Sequence, residues 1–245
     1  MSEIWFEGKR FGRRVTFRFG DCNANKRASL YTLLKIFSEL AGEDYEHREM
    51  GYELLQEKGQ AFVVSRQSIA IKKLPVHTQT VHCTTWERCT KGPFFYREYE
   101  IHTPQGELLA SSESMWLLVE PATREILRPA QLFGGLPEMD PGKAECPDCK
   151  KLKRMDKAEA LGERTIRYSD LDANGHVNNA VYTRIAADYL PQEYRERELF
   201  GFQINICMET RLGETLEICG TPTEAGYFIQ GVTGDTLHFA CEYSY

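Results

Sequence analysis

The chain has 245 residues, 42% hydrophobic and 27% charged, with a formal net charge of −6. That is ordinary for a globular protein of one large or two modest domains, each able to bury a core. The negative balance argues against a general nucleic-acid binder, no apolar run approaches the ~20 residues that span a bilayer, and eight cysteines are too few for a disulfide scaffold.

Taken in chain order, the N-terminal stretch Met1 to Arg10 has no apolar signal core and no Arg/Ser bias, which gives the expectation of a cytoplasmic protein of bacterial type. Residues 18–27 read Arg-Phe-Gly-Asp-Cys-Asn-Ala-Asn-Lys-Arg. After them Leu30, Leu33, Leu34, Phe37, Leu40 and Ala41 recur at helical spacing, with Ser29 as N-cap and Gly42 as stop. A second short helix is expected over 44–57. Strand text follows at 61–74, 78–87, 94–102 and 108–119, broken by Lys91-Gly92-Pro93 and Pro104-Gln105-Gly106. A helix followed by antiparallel-looking strands argues an α+β unit.

Between 128 and 160 the text changes to Pro, Gly and a Lys/Arg cluster (Lys143, Lys150, Lys151, Lys153, Arg154, Lys157), the composition of a linker. Cys146 and Cys149 form a lone C-x-x-C there. No second ligand pair stands at zinc spacing, so two solvated thiols are expected and no metal. The order then repeats in shorter form. Strands are expected at 165–168, 202–209, 215–220, 226–233 and 237–245, and a helix over 180–190, capped by Asn178 or Asn179 and stopped by Pro191. The expected organisation is a first domain over 1–128, a linker over 129–162 and a second domain over 163–245.

Residues 167–176, Arg-Tyr-Ser-Asp-Leu-Asp-Ala-Asn-Gly-His, restate residues 18–27 in register. The copies differ where chemistry would sit. The second has Asp172, Asn174 and His176, and the first has Asn23, Asn25 and Arg27. Alternate side chains in an extended or loop segment share one direction, so a carboxylate, an amide and an imidazole can line one pocket beside a helix N-terminus, a kit for acyl transfer or hydrolysis. An ordinary polar turn with a surface His fits the short motif as well. Extending the repeat places Glu209, at an expected strand end, opposite Leu74 of the first copy.

The run Arg167 to Tyr182 resembles the second-half signature of acyl-acyl carrier protein (ACP) thioesterases. Val63-Val64-Ser65-Arg66, Thr85-Trp86, the run Gly106 to Val119 and Thr123-Arg124 resemble its first half. The resemblance implies a tandem (double) hotdog fold, two long helices each wrapped by an antiparallel sheet. It implies hydrolysis of fatty acyl-ACP thioesters that ends chain elongation in fatty acid biosynthesis, with acyl carrier protein as partner, no cofactor and no metal. The catalytic positions carried over are Asp172, Asn174, His176 and Glu209. Thr210 stands where plant members place a Cys after that Glu, so a thiol nucleophile is not expected. The degenerate first half would hold the acyl chain, with Leu33, Phe37, Phe62, Val64, Met115 and Trp116 as candidate wall residues, and the Lys143–Lys157 cluster would dock the acidic carrier. A homodimer is compatible with this. An acyl-CoA thioesterase, a hydratase and a non-enzymatic acyl-binding protein are the rival functions.

Overall fold

The computed structural model describes residues 3–245. The chain forms two compact units, one through Cys149 and one from Lys150.

In the first unit, β1 (Ile4–Glu7) and β2 (Arg10–Thr16) precede helix α1 (Leu30–His47) and the short α2 (Tyr52–Glu57). Then come β3 (Ala61–Ile71), β4 (Thr80–Lys91), β5 (Phe94–His102), β6 (Leu108–Glu120) and β7 (Glu125–Leu127). The strands make an antiparallel sheet in the order β1-β2-β4-β5-β6-β3, with β7 on the end of β6. Helix α1 lies against β2 and β4. The Ser29 hydroxyl caps α1 by accepting the Thr32 amide at 3.1 Å. Its Leu33, Leu34, Ile36, Phe37, Leu40 and Ala41 are buried, the wide apolar face that the helical spacing predicts.

The helix does not stop at Gly42. It continues to His47 because its last turn carries contacts that outweigh a glycine's cost of roughly 1 kcal/mol. Asp44 is fully buried and pairs with Arg97 at 2.9 Å and Arg48 at 2.8 Å. The Tyr45 hydroxyl donates to Glu87 at 3.0 Å, and Glu87 also pairs with Arg97 at 3.1 Å. The chain then turns through Glu49 at φ 57°, so the expected helix over 44–57 is reduced to α2.

The 140–149 segment is not a solvated tether. Trp86 Nε1 donates to the Gly142 carbonyl, the Ser111 hydroxyl to the Glu145 carbonyl, and the Cys149 amide to Glu113. The Ala144 amide donates to Glu98 at 3.3 Å. Arg88 pairs with both Glu98 and Glu113 beneath this strap. Burial, with the Glu113 charge next, pushes Glu98 up to about 7. Burial also pushes the Cys146 thiol up to about 12, and that of Cys149 up as well. Among the described residues no three His, Cys, Asp or Glu side chains are grouped to hold a metal ion.

The second unit contains β8 (Glu159–Thr165), α3 (Asn179–Tyr189), the single turn α4 (Gln192–Arg195), β9 (Gly201–Ile206), β10 (Thr215–Pro222), β11 (Gly226–Thr233) and β12 (Thr236–Ser244). Its sheet runs β9-β12-β11-β10-β8, all antiparallel. Helix α3 rests on β8 and β12. It has 11 residues against the 18 of α1, so the two helices are not equally long. The strand expected at 165–168 lies earlier, because Tyr168–Asp170 is a short 3₁₀ turn. The strand expected to reach Glu209 ends at Ile206. There the amides of Cys207 and Met208 both turn onto the His238 carbonyl, at 2.8 and 3.1 Å, and the ladder cannot continue.

Candidate active site

Of the two forms the sequence allows, the segment before α3 is the loop, closed as a turn. The Asp172 amide donates to the His176 carbonyl at 2.8 Å, and the Gly175 amide to the Asp172 carbonyl at 3.0 Å. Asp172 Oδ1 accepts the amides of Asn174 and His176 at 2.8 and 3.3 Å, an Asx turn. The backbone amides of Asn174 and His176 therefore fix Asp172 through Oδ1. Gly175 has φ 73°, the left-handed conformation this turn requires. Asp170, two residues earlier, is buried and fastened by Arg164, Arg184 and the Arg167 amide, and its own carbonyl takes the Asn178 amide at 3.1 Å. It anchors the turn that presents Asp172.

Glu209 lies three residues beyond β9, and its Oε1 is 2.8 Å from His176 Nε2. The structure thus brings together two predicted residues that are 33 positions apart, one before α3 and one after β9. Asn174 lies exposed in the same turn. Asn178 caps α3, its Oδ1 taking the Ala180 amide at 2.9 Å and its carbonyl the Val181 amide at 2.8 Å. Among the described hydrogen bonds, the Asn179 amide is the first-turn donor left for an incoming anion. A cavity of about 420 Å³ opens beside Glu209, with Arg211, Glu214 and His238 in its lining.

Thr210 is fully buried, its hydroxyl between Tyr182 Oη and His238 Nδ1 at 3.0 Å each. Burial raises Tyr182; the Thr210 hydrogen bonds oppose that rise, and the Glu209 and Glu214 charges add to it. Tyr182, Thr210 and His238 were not legible as site residues. In the sequence Tyr182 sits in a helix stripe and His238 in strand text, and Thr210 draws notice only as the position where plant members carry a Cys.

The first unit repeats much of this backbone framework with other side chains. Asn23 Oδ1 accepts the amides of Asn25 and Arg27 at 3.0 and 3.2 Å. The amides of Lys72 and Lys73 both donate to the Leu109 carbonyl, as those of Cys207 and Met208 do to His238. Thr16 and Thr80 hydroxyls pair at 2.8 Å, as do those of Thr165 and Thr215. This register sets Leu74 opposite Glu209 and Arg27 opposite His176.

A model of the acyl-ACP thioesterase N-terminal domain matches residues 8–131, and one of the C-terminal domain matches residues 153–241. The chain belongs to the acyl-ACP thioesterase family. It is 27% identical over 213 residues to an Arabidopsis thaliana chloroplastic palmitoyl-acyl carrier protein thioesterase, covering 81% of this chain and 51% of that one. The Gossypium hirsutum protein of the same description is 26% identical over 197 residues, covering 74% and 47%. The chain thus spans about half the length of these plant relatives. In fold it is similar to an acyl-ACP thioesterase from Bacteroides thetaiotaomicron (TM-score 0.83, 20% identity, 96% of this chain and 97% of that one). It is also similar to a 12:0-ACP thioesterase from Umbellularia californica (TM-score 0.85, 19% identity, 98% of each). In each unit the acyl-ACP thioesterase fold seen here is an antiparallel sheet with few helices.

Proposed function

We propose that the chain hydrolyses the thioester of fatty acyl-ACP, with chemistry in the second unit and the acyl chain held by the first. Each unit is read as a hotdog, α1 and α3 being the two wrapped helices. The observation that carries the catalytic reading is the Glu209–His176 contact at 2.8 Å, beside the Asp172 turn. Its counterparts in the other copy, Leu74, Arg27 and Asn23, offer neither acid nor base.

In this reading the thioester carbonyl lies over the N-terminus of α3, where the Asn179 amide stabilises the oxyanion. Asp172, fixed through Oδ1, orients the attacking water with Oδ2. Asn174 lines the same approach. The Glu209–His176 pair removes a proton from that water as its oxygen adds to the carbonyl carbon. When the C–S bond breaks, the same pair returns the proton to the departing pantetheine sulfur, leaving a free fatty acid and a thiol. Thr210 takes no part as a nucleophile, because its hydroxyl is sealed and already bonded on both sides.

The acyl-chain role rests on the apolar interior of the first unit. Leu33, Phe37, Val64 and Met115 are buried there, while Phe62 and Trp116 are partly buried against the cluster of Tyr45, Met50, Leu55, Phe95, Leu118 and Leu132. Eight free cysteines suit the reducing cytoplasm in which acyl-ACP is made. The test is hydrolysis of acyl-ACP and acyl-CoA of equal chain length. Faster turnover of acyl-ACP is expected. Preference for acyl-CoA would make the chain an acyl-CoA thioesterase, and binding without turnover of either would make it an acyl-binding protein.

A further inference from the structure

Glu209 sits in a loop that is fastened on both sides to one residue. Upstream, the Cys207 and Met208 amides donate to the His238 carbonyl at 2.8 and 3.1 Å. Downstream, the Thr210 hydroxyl meets Nδ1 of the same His238 at 3.0 Å. Tyr182, on the first turn of α3, donates its hydroxyl to Thr210 at 3.0 Å. The Thr210 hydroxyl thus takes the Tyr182 proton on one side and shares a hydrogen bond with His238 Nδ1 on the other, while Nε2 is the remaining ring nitrogen. That nitrogen is buried and faces Glu214 Oε1 at 3.6 Å. Glu214 in turn takes the Arg211 amide at 2.9 Å on its other oxygen.

The first unit shows that the fold does not require this polar clip. It keeps the paired amides on the Leu109 carbonyl, at 2.9 and 3.0 Å, and the loop bond from the Val76 amide to Gln79 at 3.0 Å. Yet the positions of Tyr182, Thr210 and His238 are held there by Leu33, Pro75 and Leu109. All three apolar residues suffice where Leu74 replaces Glu209. The polar set occurs in the copy whose loop must present a carboxylate.

We propose that Tyr182, Thr210 and His238 are positioning residues, a buried hydrogen-bonded clip that holds Glu209 on His176 during thioester hydrolysis. They act through Glu209 and do not touch substrate; the inference rests on the hydrolase reading above. Removing the Thr210 hydroxyl takes one hydrogen-bond partner from Tyr182 Oη and one from His238 Nδ1 inside the core, and the loop relaxes.

The test is Thr210→Val, which keeps the shape and deletes the hydroxyl. Its kcat on acyl-ACP is expected to fall about a hundredfold with KM unchanged, the cost of roughly 1 Å of misplacement. Thr210→Ser should restore most of the loss, and Tyr182→Phe, which removes one bond, should show a smaller fall of the same kind. In a Glu209→Gln background, Thr210→Val should add almost nothing, because the group it positions is already gone. An equal fall in both backgrounds, or no fall, overturns the proposal. A crystal structure of Thr210→Val or Tyr182→Phe gives a readout independent of turnover. Glu209 displaced from His176 supports the clip, and the contact intact in both variants overturns it. If the native protein hydrolyses no thioester, the function falls, and the crystal structures still decide the positioning.

Discussion

Asn23 and Asp172 make the same Asx turn, each accepting two backbone amides on Oδ1. Folding therefore asks only for a side-chain oxygen at this position, and the carboxylate of Asp172 is surplus to it. The same holds at the turn's other end, where Arg27 serves the first copy and His176 the second. His176→Ala should lower kcat about 10²- to 10⁴-fold, the usual contribution of a positioned acid or base, while leaving Tm within a degree or two. Arg27→Ala should leave kcat unchanged; a comparable loss from both would show that the copies do not divide the work. Asp172, His176 and Glu209 stand out as candidates in the sequence because the repeat places Asn23, Arg27 and Leu74 opposite them, whereas Asn174 faces an identical Asn25 and is singled out only by its motif. The bonds joining Tyr182, Thr210 and His238 are not readable there, because a buried phenol and a buried imidazole in helix or strand text carry no spacing signal and Thr210 shows only as a missing Cys.

At the scale of elements, the helices and central strands follow from apolar spacing, and their ends follow from tertiary contacts. Leu30 to Ala41 announce α1, but its last turn depends on Arg97, which lies more than 50 residues downstream of it on β5. Asp44 and Glu87 share that guanidinium in a fully buried cluster. Arg97→Ala leaves buried Glu87 without its cation and Asp44 with Arg48 alone, and should cost about 3–5 kcal/mol in urea unfolding. A cost below 1 kcal/mol would mean the cluster is not what extends α1. The strap over β5 and β6 carries a pH signature. Glu98 has a folded-state pKa of about 7 against an ordinary 4.5, so the fold favours its protonated form. That contribution is full below pH 4.5 and is lost as pH rises towards 7. Glu98→Gln, fixed in the neutral form, should therefore gain stability relative to the native protein on going from pH 5 to pH 7.5, measured by urea unfolding at both; a difference that stays constant with pH would contradict it. Short β1, β2 and β7 were not legible, because each is an edge or a brief addition recognisable only by its partner strand.

At the scale of the molecule, both units use one plan, and the family models match each in turn. Docking of an acidic carrier on a chain of net charge −6 requires local positive charge. In the proposed dock, the Lys143–Lys157 cluster, Lys143 is paired with Asp148, and Arg154 with Asp156 at 3.6 Å. If the remaining lysines dock the carrier, KM for acyl-ACP should rise from 50 to about 300 mM salt while KM for acyl-CoA moves less, and equal salt dependence would place docking elsewhere. The central claim, that one copy cuts the thioester and the other does not, is tested most directly by acyl-ACP hydrolysis with Asp172→Asn. Asn23 shows that an amide can make this turn, so the variant should fold with an unchanged Tm and lose turnover by about a hundredfold or more. Near-native turnover from a folded Asp172→Asn protein would contradict the account.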